Sequence, residues 1–197
     1  MLPIVEYFYS LQGEGYNTGK AAFFIRLAGC DVGCSWCDSK SSWDVKKHPL
    51  ISIEDILLPV INCRAKNIVI TGGEPLLHSL DKLCSSLKQN NINIFLETSG
   101  SAPLSGEFDW ICLSPKRNKP PLTEVFQAAS ELKVVIVSIE DIQWAEECRM
   151  QVQRECKLYL QPEWSRRNDV LPYIIEYIKR NPDWTLSQQS HKYIDIP

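Results

Sequence analysis

The chain has no run of about 18 apolar residues, so no helical membrane span is expected from it. Its first residues, Met1-Leu2-Pro3-Ile4-Val5-Glu6, lack the charged start and apolar stretch of a secretory signal. It also lacks a basic surplus. The formal net charge is -3, and the dense basic runs, Lys46-Lys47 and Arg166-Arg167, are too short to follow a phosphate backbone. Neither nucleic acid nor a membrane is therefore expected as a partner. No low-complexity stretch or linker interrupts the 197 residues, so one domain spanning 1–197 is expected. Eight cysteines in a chain without a secretory signal argue against a disulfide framework and for reduced thiols in the cytoplasm.

Within an ordinary composition, 44% hydrophobic and 23% charged, one loop stands apart: Cys30-Asp31-Val32-Gly33-Cys34-Ser35-Trp36-Cys37-Asp38. Three thiolates at this spacing can hold three corners of a four-iron cluster and leave the fourth iron open. A zinc knuckle is the alternative, but structural zinc takes four protein ligands. No His or Cys follows Cys37 until His48. Cys63, Cys84, Cys112, Cys148 and Cys156 stand alone in apolar segments and read as small buried hydrophobes.

Around that loop the chain alternates between two periodicities. Ile4 to Ser10 and Ala21 to Leu27 read as strands. Arg26 in the second needs a partner, either Glu14 in an ion pair or an anionic ligand. From Ser52 the pattern becomes helix to Asn62, with Ser52 as N-cap and Pro59 as a kink or early stop. Strand 67–71, helix 79–89, strand 93–96 and strand 109–113 follow, the last reached without an obvious helix. Helix 122–130, strand 132–137, helix 139–149, strand 157–160, helix 169–180 and a strand near 184–187 complete it. Val- and Ile-rich strands alternating with amphipathic helices predict an α/β fold with a mainly parallel sheet.

Polar clusters follow the strands: Thr71-Gly72-Gly73-Glu74-Pro75, Glu97-Thr98-Ser99-Gly100, Ser114-Pro115-Lys116 and Gln161-Pro162-Glu163. Each alone could be a turn. Together they lie on the carboxyl edge of a parallel sheet, where sites assemble, and that edge also receives the cysteine loop.

Gly72-Gly73-Glu74-Pro75 is similar to the GGEP motif of radical S-adenosylmethionine (SAM) enzymes, and the cysteine loop to their cluster-binding signature. Leu11-Gln12-Gly13-Glu14-Gly15, Cys34-Ser35-Trp36-Cys37-Asp38, Ser114-Pro115-Lys116, Gln161-Pro162 and the final His191 to Pro197 resemble the 7-carboxy-7-deazaguanine synthase family, over essentially the whole chain. The resemblance implies an incomplete, modified (β/α) barrel and a homodimer. It implies a 4Fe-4S cluster on Cys30, Cys34 and Cys37. SAM would lie against Trp36, Cys37, Asp38, Gly73, Ser114, Pro115, Lys116, Gln161, Pro162, Glu163 and Trp164. A pterin substrate would lie among Leu11, Gln12, Gly13, Glu14, Arg26, Thr71, His191 and Pro197. Magnesium would meet Ser39, where many members carry Thr; serine keeps the oxygen a hard cation prefers, although it could instead cap the following turn. The implied reaction converts 6-carboxy-5,6,7,8-tetrahydropterin to 7-carboxy-7-deazaguanine by hydrogen abstraction, ring contraction and loss of ammonia. A flavodoxin- or ferredoxin-type donor would supply the electron. The residues Tyr193 to Pro197 are too apolar for a frayed tail, so the Pro197 carboxylate is an expected substrate ligand, unless Ile194 and Ile196 merely dock a last strand.

Two other readings share some of these features. A glycyl-radical-enzyme activase would need the cysteines and GGEP but not the Gln12-Gly13-Glu14 turn. A non-enzymatic iron–sulfur carrier would close every iron with protein ligands and would not cleave SAM.

Overall fold

The sheet that organises the molecule begins with a local pairing. β1 (Leu2–Leu11) returns through a tight Gly15–Asn17 turn to pair antiparallel with β2 (Ala21–Leu27), Tyr7 opposite Ile25. The computed structural model describes residues 1–197. A short β3 (Leu50–Ile51) covers the outer edge of β1, also antiparallel. From β2 onward every pairing is parallel: β4 (Asn67–Gly72), β5 (Asn93–Thr98), β6 (Trp110–Leu113), β7 (Glu131–Ile136), β8 (Lys157–Pro162) and β9 (Trp184–Leu186). The order β3-β1-β2-β4-β5-β6-β7-β8-β9 leaves β3 and β9 as edges, so the sheet curves without closing. This is the incomplete barrel.

Helices α1 (Ile53–Asn62), α2 (Asp81–Gln89), α3 (Thr123–Ala128), α4 (Asp141–Arg149) and α5 (Arg167–Arg180) make the crossovers; α6 (Ser190–Ile194) ends the chain. Ser52 caps α1 as its position predicts, Oγ accepting from Asp55 N at 3.1 Å. Pro59 does not stop that helix, because Ile56 and Val60, both fully buried, hold it against the core on either side of the proline. Between β5 and β6 there is no helix; residues 99–109 cross over as a loop.

Strand residues alternate between two faces with period two. Ile68 and Ile70, Ile94 and Leu96, Leu132 and Val134, and Leu158 and Leu160 enter a core with Ile56, Leu83, Val125, Ala145 and Ile174 of the helices. The other face is polar and concave. Arg26, Thr71, Glu97, Lys133 and Gln161 all line it. The apolar runs of the sequence therefore account for one face of the sheet, and the charged interruptions in them mark the other.

Candidate active site

That concave face opens into a cavity of about 440 Å³ at the carboxyl ends of the strands. Its volume suits an organic ligand of cofactor size. Every site residue named from the sequence lines it except Pro115, which lines a small adjoining pocket with Trp36 and Lys116.

β2 delivers the cysteine loop to the cavity mouth. Cys30, Cys34 and Cys37 all line it as free thiols. No three His, Cys, Asp or Glu side chains converge where a single metal ion would sit. A cluster does not require such convergence, because each thiolate binds its own iron; the three thiols on one loop fit that donor set. Burial pushes the Cys34 thiol up, against the nearby Lys116 ammonium. The other cysteines are set apart: burial pushes Cys84 to about 11 and Cys148 and Cys156 to about 12.

The glycine turn after β4 lies directly against this loop. Gly73 N donates to Leu27 O at 3.0 Å and Glu74 N to Gly29 O at 2.8 Å. The Glu74 side chain turns inward, fully buried. It accepts from Thr98 Oγ1 (2.6 Å), Ser99 N (2.8 Å), Ser99 Oγ (2.5 Å) and Leu76 N (3.0 Å). Glu74 is thus a cross-link between two strand-end loops, and the backbone is what the turn offers to a ligand. Glu74→Ala is expected to leave several buried donors unpaired and to cost about 3 kcal/mol. Thermal unfolding should show a midpoint lower by roughly 6–12 °C; an unchanged midpoint would contradict the cross-link.

After β6, Lys116 Nζ donates to Ser114 O and Ser114 Oγ, both at 2.6 Å, and sits 5.5 Å from the centre of the Trp36 ring. Burial pulls its ammonium down from the usual range. After β8, Glu163 bends back to accept from Ser165 N and Oγ and from Arg166 N, so its carboxylate caps the entry to α5. Trp164 carries Arg167 over its ring at 4.1 Å and meets Tyr193 edge-on at 5.1 Å.

The floor is charged. Arg26 does not pair with Glu14: its Nε donates to Glu6 Oε1 across the β1–β2 ladder at 2.7 Å, where the two residues sit opposite each other. Glu14 instead meets Lys133 at 2.7 Å and Gln189 Nε2 at 2.8 Å. Burial alone would raise the Glu14 carboxyl, but the Lys133 ammonium and the amide donors hold it at about 2. Asp38 follows the same pattern: burial would raise it, but Lys192 at 2.8 Å and Gln189 at 3.2 Å keep it below the usual range. Burial lowers the His191 imidazole. Ser39 does not cap the turn after it; its hydroxyl makes no capping bond and lies 3.6 Å from Cys37 Sγ.

The final residues form α6 rather than a last strand, and Ile194 faces out. Ser190 N and Oγ both donate to Gly13 O at 2.9 Å, which docks α6 on the β1 turn. Pro197 O accepts from Ser10 Oγ at 3.0 Å beside the cavity.

Lys133, Gln189 and Lys192 also line the cavity and were not picked out from the sequence; Glu97, marked there only within a strand-end cluster, lines it too. For Lys133 the signal was available: a lone charge in Leu132-Lys133-Val134-Val135, the same interruption that Arg26 makes in β2.

The model of the radical SAM superfamily matches residues 24–139, from β2 through β7. A 7-carboxy-7-deazaguanine synthase from Flavobacterium psychrophilum is 48% identical over 197 residues, covering 100% of this chain and 93% of its own. The Escherichia coli K12 enzyme of that name is 36% identical over 222 residues, covering 98% of both. The crystal structure of QueE from Escherichia coli superposes with a TM-score of 0.86 at 34% identity, covering 96% of this chain and 94% of that one.

Proposed function

This chain belongs to the 7-carboxy-7-deazaguanine synthase family of radical SAM enzymes, and from that premise we propose that it converts 6-carboxy-5,6,7,8-tetrahydropterin to 7-carboxy-7-deazaguanine with loss of ammonia. The observation that carries the reading is convergence: the cysteine loop, the glycine turn, Ser114, Lys116 and the Glu14 floor face one cavity.

In this reading Cys30, Cys34 and Cys37 hold the 4Fe-4S cluster. SAM lies on the Trp36–Asp38 backbone, Gly73, Ser114 to Lys116 and Gln161 to Trp164. When bound, cluster and SAM would supply the radical chemistry that removes a hydrogen from the substrate. The protein supplies orientation, charge and exclusion of water. Arg26 is steadied at Nε by Glu6, which leaves the outer nitrogens of its planar fork for the substrate carboxylate. Glu14, an acceptor when ionised, suits the N–H-rich edge of the pterin. Leu11 to Gly13, Thr71, His191 and Pro197 complete the cradle. Gly13 must stay a glycine here, since a Cβ would run into the His191 ring. The reading also includes one domain over residues 1–197, a homodimer, a cytoplasmic location and an external flavodoxin- or ferredoxin-type electron donor.

Magnesium belongs to the same proposal. Ser39 Oγ offers one protein oxygen at the cavity wall, and the substrate carboxylate and water would complete the shell. Ser39→Ala is expected to raise the magnesium concentration for half-maximal turnover about tenfold, equivalent to ~1.4 kcal/mol. SAM binding should stay nearly intact. Unchanged magnesium dependence would count decisively against Ser39.

The test of the whole reading is anaerobic turnover with 6-carboxytetrahydropterin, SAM and reductant, followed by mass analysis. The expected product is 7-carboxy-7-deazaguanine, with SAM regenerated. Steady SAM cleavage with the pterin left unchanged would refute the substrate assignment.

A further inference from the structure

One lysine lies on the cavity floor, surrounded by acids. Lys133, at the middle of β7, is 3% exposed. Its Nζ donates to Glu14 Oε2 at 2.7 Å and to Glu97 Oε2 at 2.9 Å. Each carboxylate has a second donor on its other oxygen. Gln189 Nε2 reaches Glu14 Oε1 at 2.8 Å, and Gln12 Nε2 reaches Glu97 Oε1 at 3.1 Å. Both carboxylates nonetheless line the cavity. An ionised carboxylate has about four lone-pair sites, so each keeps acceptor capacity beyond the bonds it already makes.

From this geometry we infer that Lys133 is a positioning residue: it aims Glu14 and Glu97 as a pair of acceptors, so that the site selects a ligand edge with adjacent N–H donors, such as the 2-aminopyrimidinone edge of a pterin. The inference rests on the pterin reading above and adds Glu97 and Lys133 to it. A buried cation between two carboxylates fixes their direction, which a solvated pair would not do. A lysine at this place is otherwise costly, since a parallel strand buried in a sheet favours apolar residues.

The charge balance supplies a signature that mere packing would not. Glu14 faces Lys133 from β7, His191 from α6 and Asp38 from the cysteine loop, and Lys192 of α6 pairs with that Asp38. Lys133 faces Glu14, Glu97 on β5, Glu131 on its own strand and the Cys112 thiol on β6, and Lys116 adds like charge. Burial pulls the Lys133 ammonium down, yet these acidic groups carry it well above its ordinary value. It therefore stays charged across the neutral range. Burial alone would raise the Glu14 carboxyl, and it is Lys133 above all that holds it at about 2. With Lys133 present, Glu14 stays an acceptor at every pH from 5.5 to 7.5. With Lys133 removed, burial dominates and Glu14 gains a proton as the pH falls, presenting a donor to the ligand's N–H groups.

The test uses 6-carboxypterin, a fluorescent aromatic analogue with no hydrogen at C6, titrated into the anaerobically reconstituted enzyme between pH 5.5 and 7.5. Wild type is expected to bind with an affinity constant within about twofold over that range. Lys133→Met should bind about tenfold more weakly at pH 7.5 and lose about a further fivefold by pH 5.5. Should Lys133→Met not fold, Glu97→Gln decides: it keeps the Lys133–Glu14 pair, and is expected to bind about tenfold more weakly with a flat pH profile. Lys133→Met with the wild-type pH profile, or Glu97→Gln with wild-type affinity, would overturn the inference while leaving the pterin reading standing. A wild-type enzyme that cleaves SAM but does not bind the analogue would overturn the pterin reading and this inference with it.

Discussion

Replacing Cys30, Cys34 or Cys37 singly by Ala is expected to abolish both cluster loading and SAM cleavage, while Cys84→Ala loses neither. The proposed three-thiolate donor set would leave no spare ligand. Of the other five cysteines, Cys84, Cys112, Cys148 and Cys156 are buried and Cys63 is half-buried, and no carboxylate or imidazole joins the loop thiols at a common metal position. Losing one of three ligands would leave a second iron of the bound cluster without a protein thiolate. For a group held only by those bonds, that is loss of the site and not a graded weakening. Iron and sulfide content after anaerobic reconstitution, with the visible absorption band, reads the first effect; release of 5'-deoxyadenosine reads the second. Normal cluster content in Cys34→Ala would refute the assignment. Cys84→Ala guards against a trivial outcome, because that thiol projects from α2 into the core and any loss there reports on folding.

How much of this was legible beforehand depends on the range of the interactions involved. Ser52 announces α1 because an N-cap is a local bond, made three residues along the chain. The glycine pair after β4 was legible for a related reason: a backbone that must approach another closely can carry no side chain there. What could not be read was partner choice across the sheet. For Arg26 the sequence offered Glu14 or an anionic ligand as partner, yet the β1–β2 register sets it opposite Glu6. That register is a property of the folded hairpin. Lys133 then takes Glu14, 119 residues away in sequence, from the far side of the cavity. For the last residues a docked strand was the alternative to a substrate-binding terminus, and it is the alternative that fails in form: β9 already ends the sheet, and the chain turns instead into α6 to cap Gly13. Short elements anchored by tertiary bonds carry little local signal.

The same glycine turn yields the second large effect. Gly73→Ala is expected to lower the rate of SAM cleavage about a hundredfold. Around Gly73 two backbones touch: Glu74 N donates to Gly29 O, and a Cβ on Gly73 would fall on that same carbonyl oxygen and 2.8 Å from Cys30 Cβ. Neither obstacle can rotate away as a long side chain can. Gly29 has φ of +108°, a conformation suited to glycine, so its carbonyl is fixed by a backbone that has few alternatives. The methyl must therefore push the glycine turn and the cysteine loop apart. Those are the two segments proposed to hold SAM and the cluster that reduces it. A displacement near 1 Å between reacting groups costs on the order of a hundredfold in rate. Because the thiols themselves are untouched, cluster iron should stay close to wild type, which separates this variant from the cysteine replacements. The measurement is 5'-deoxyadenosine release per cluster, with a SAM titration alongside. Cleavage per cluster at the wild-type rate would show that the close approach is a packing detail with no bearing on the chemistry.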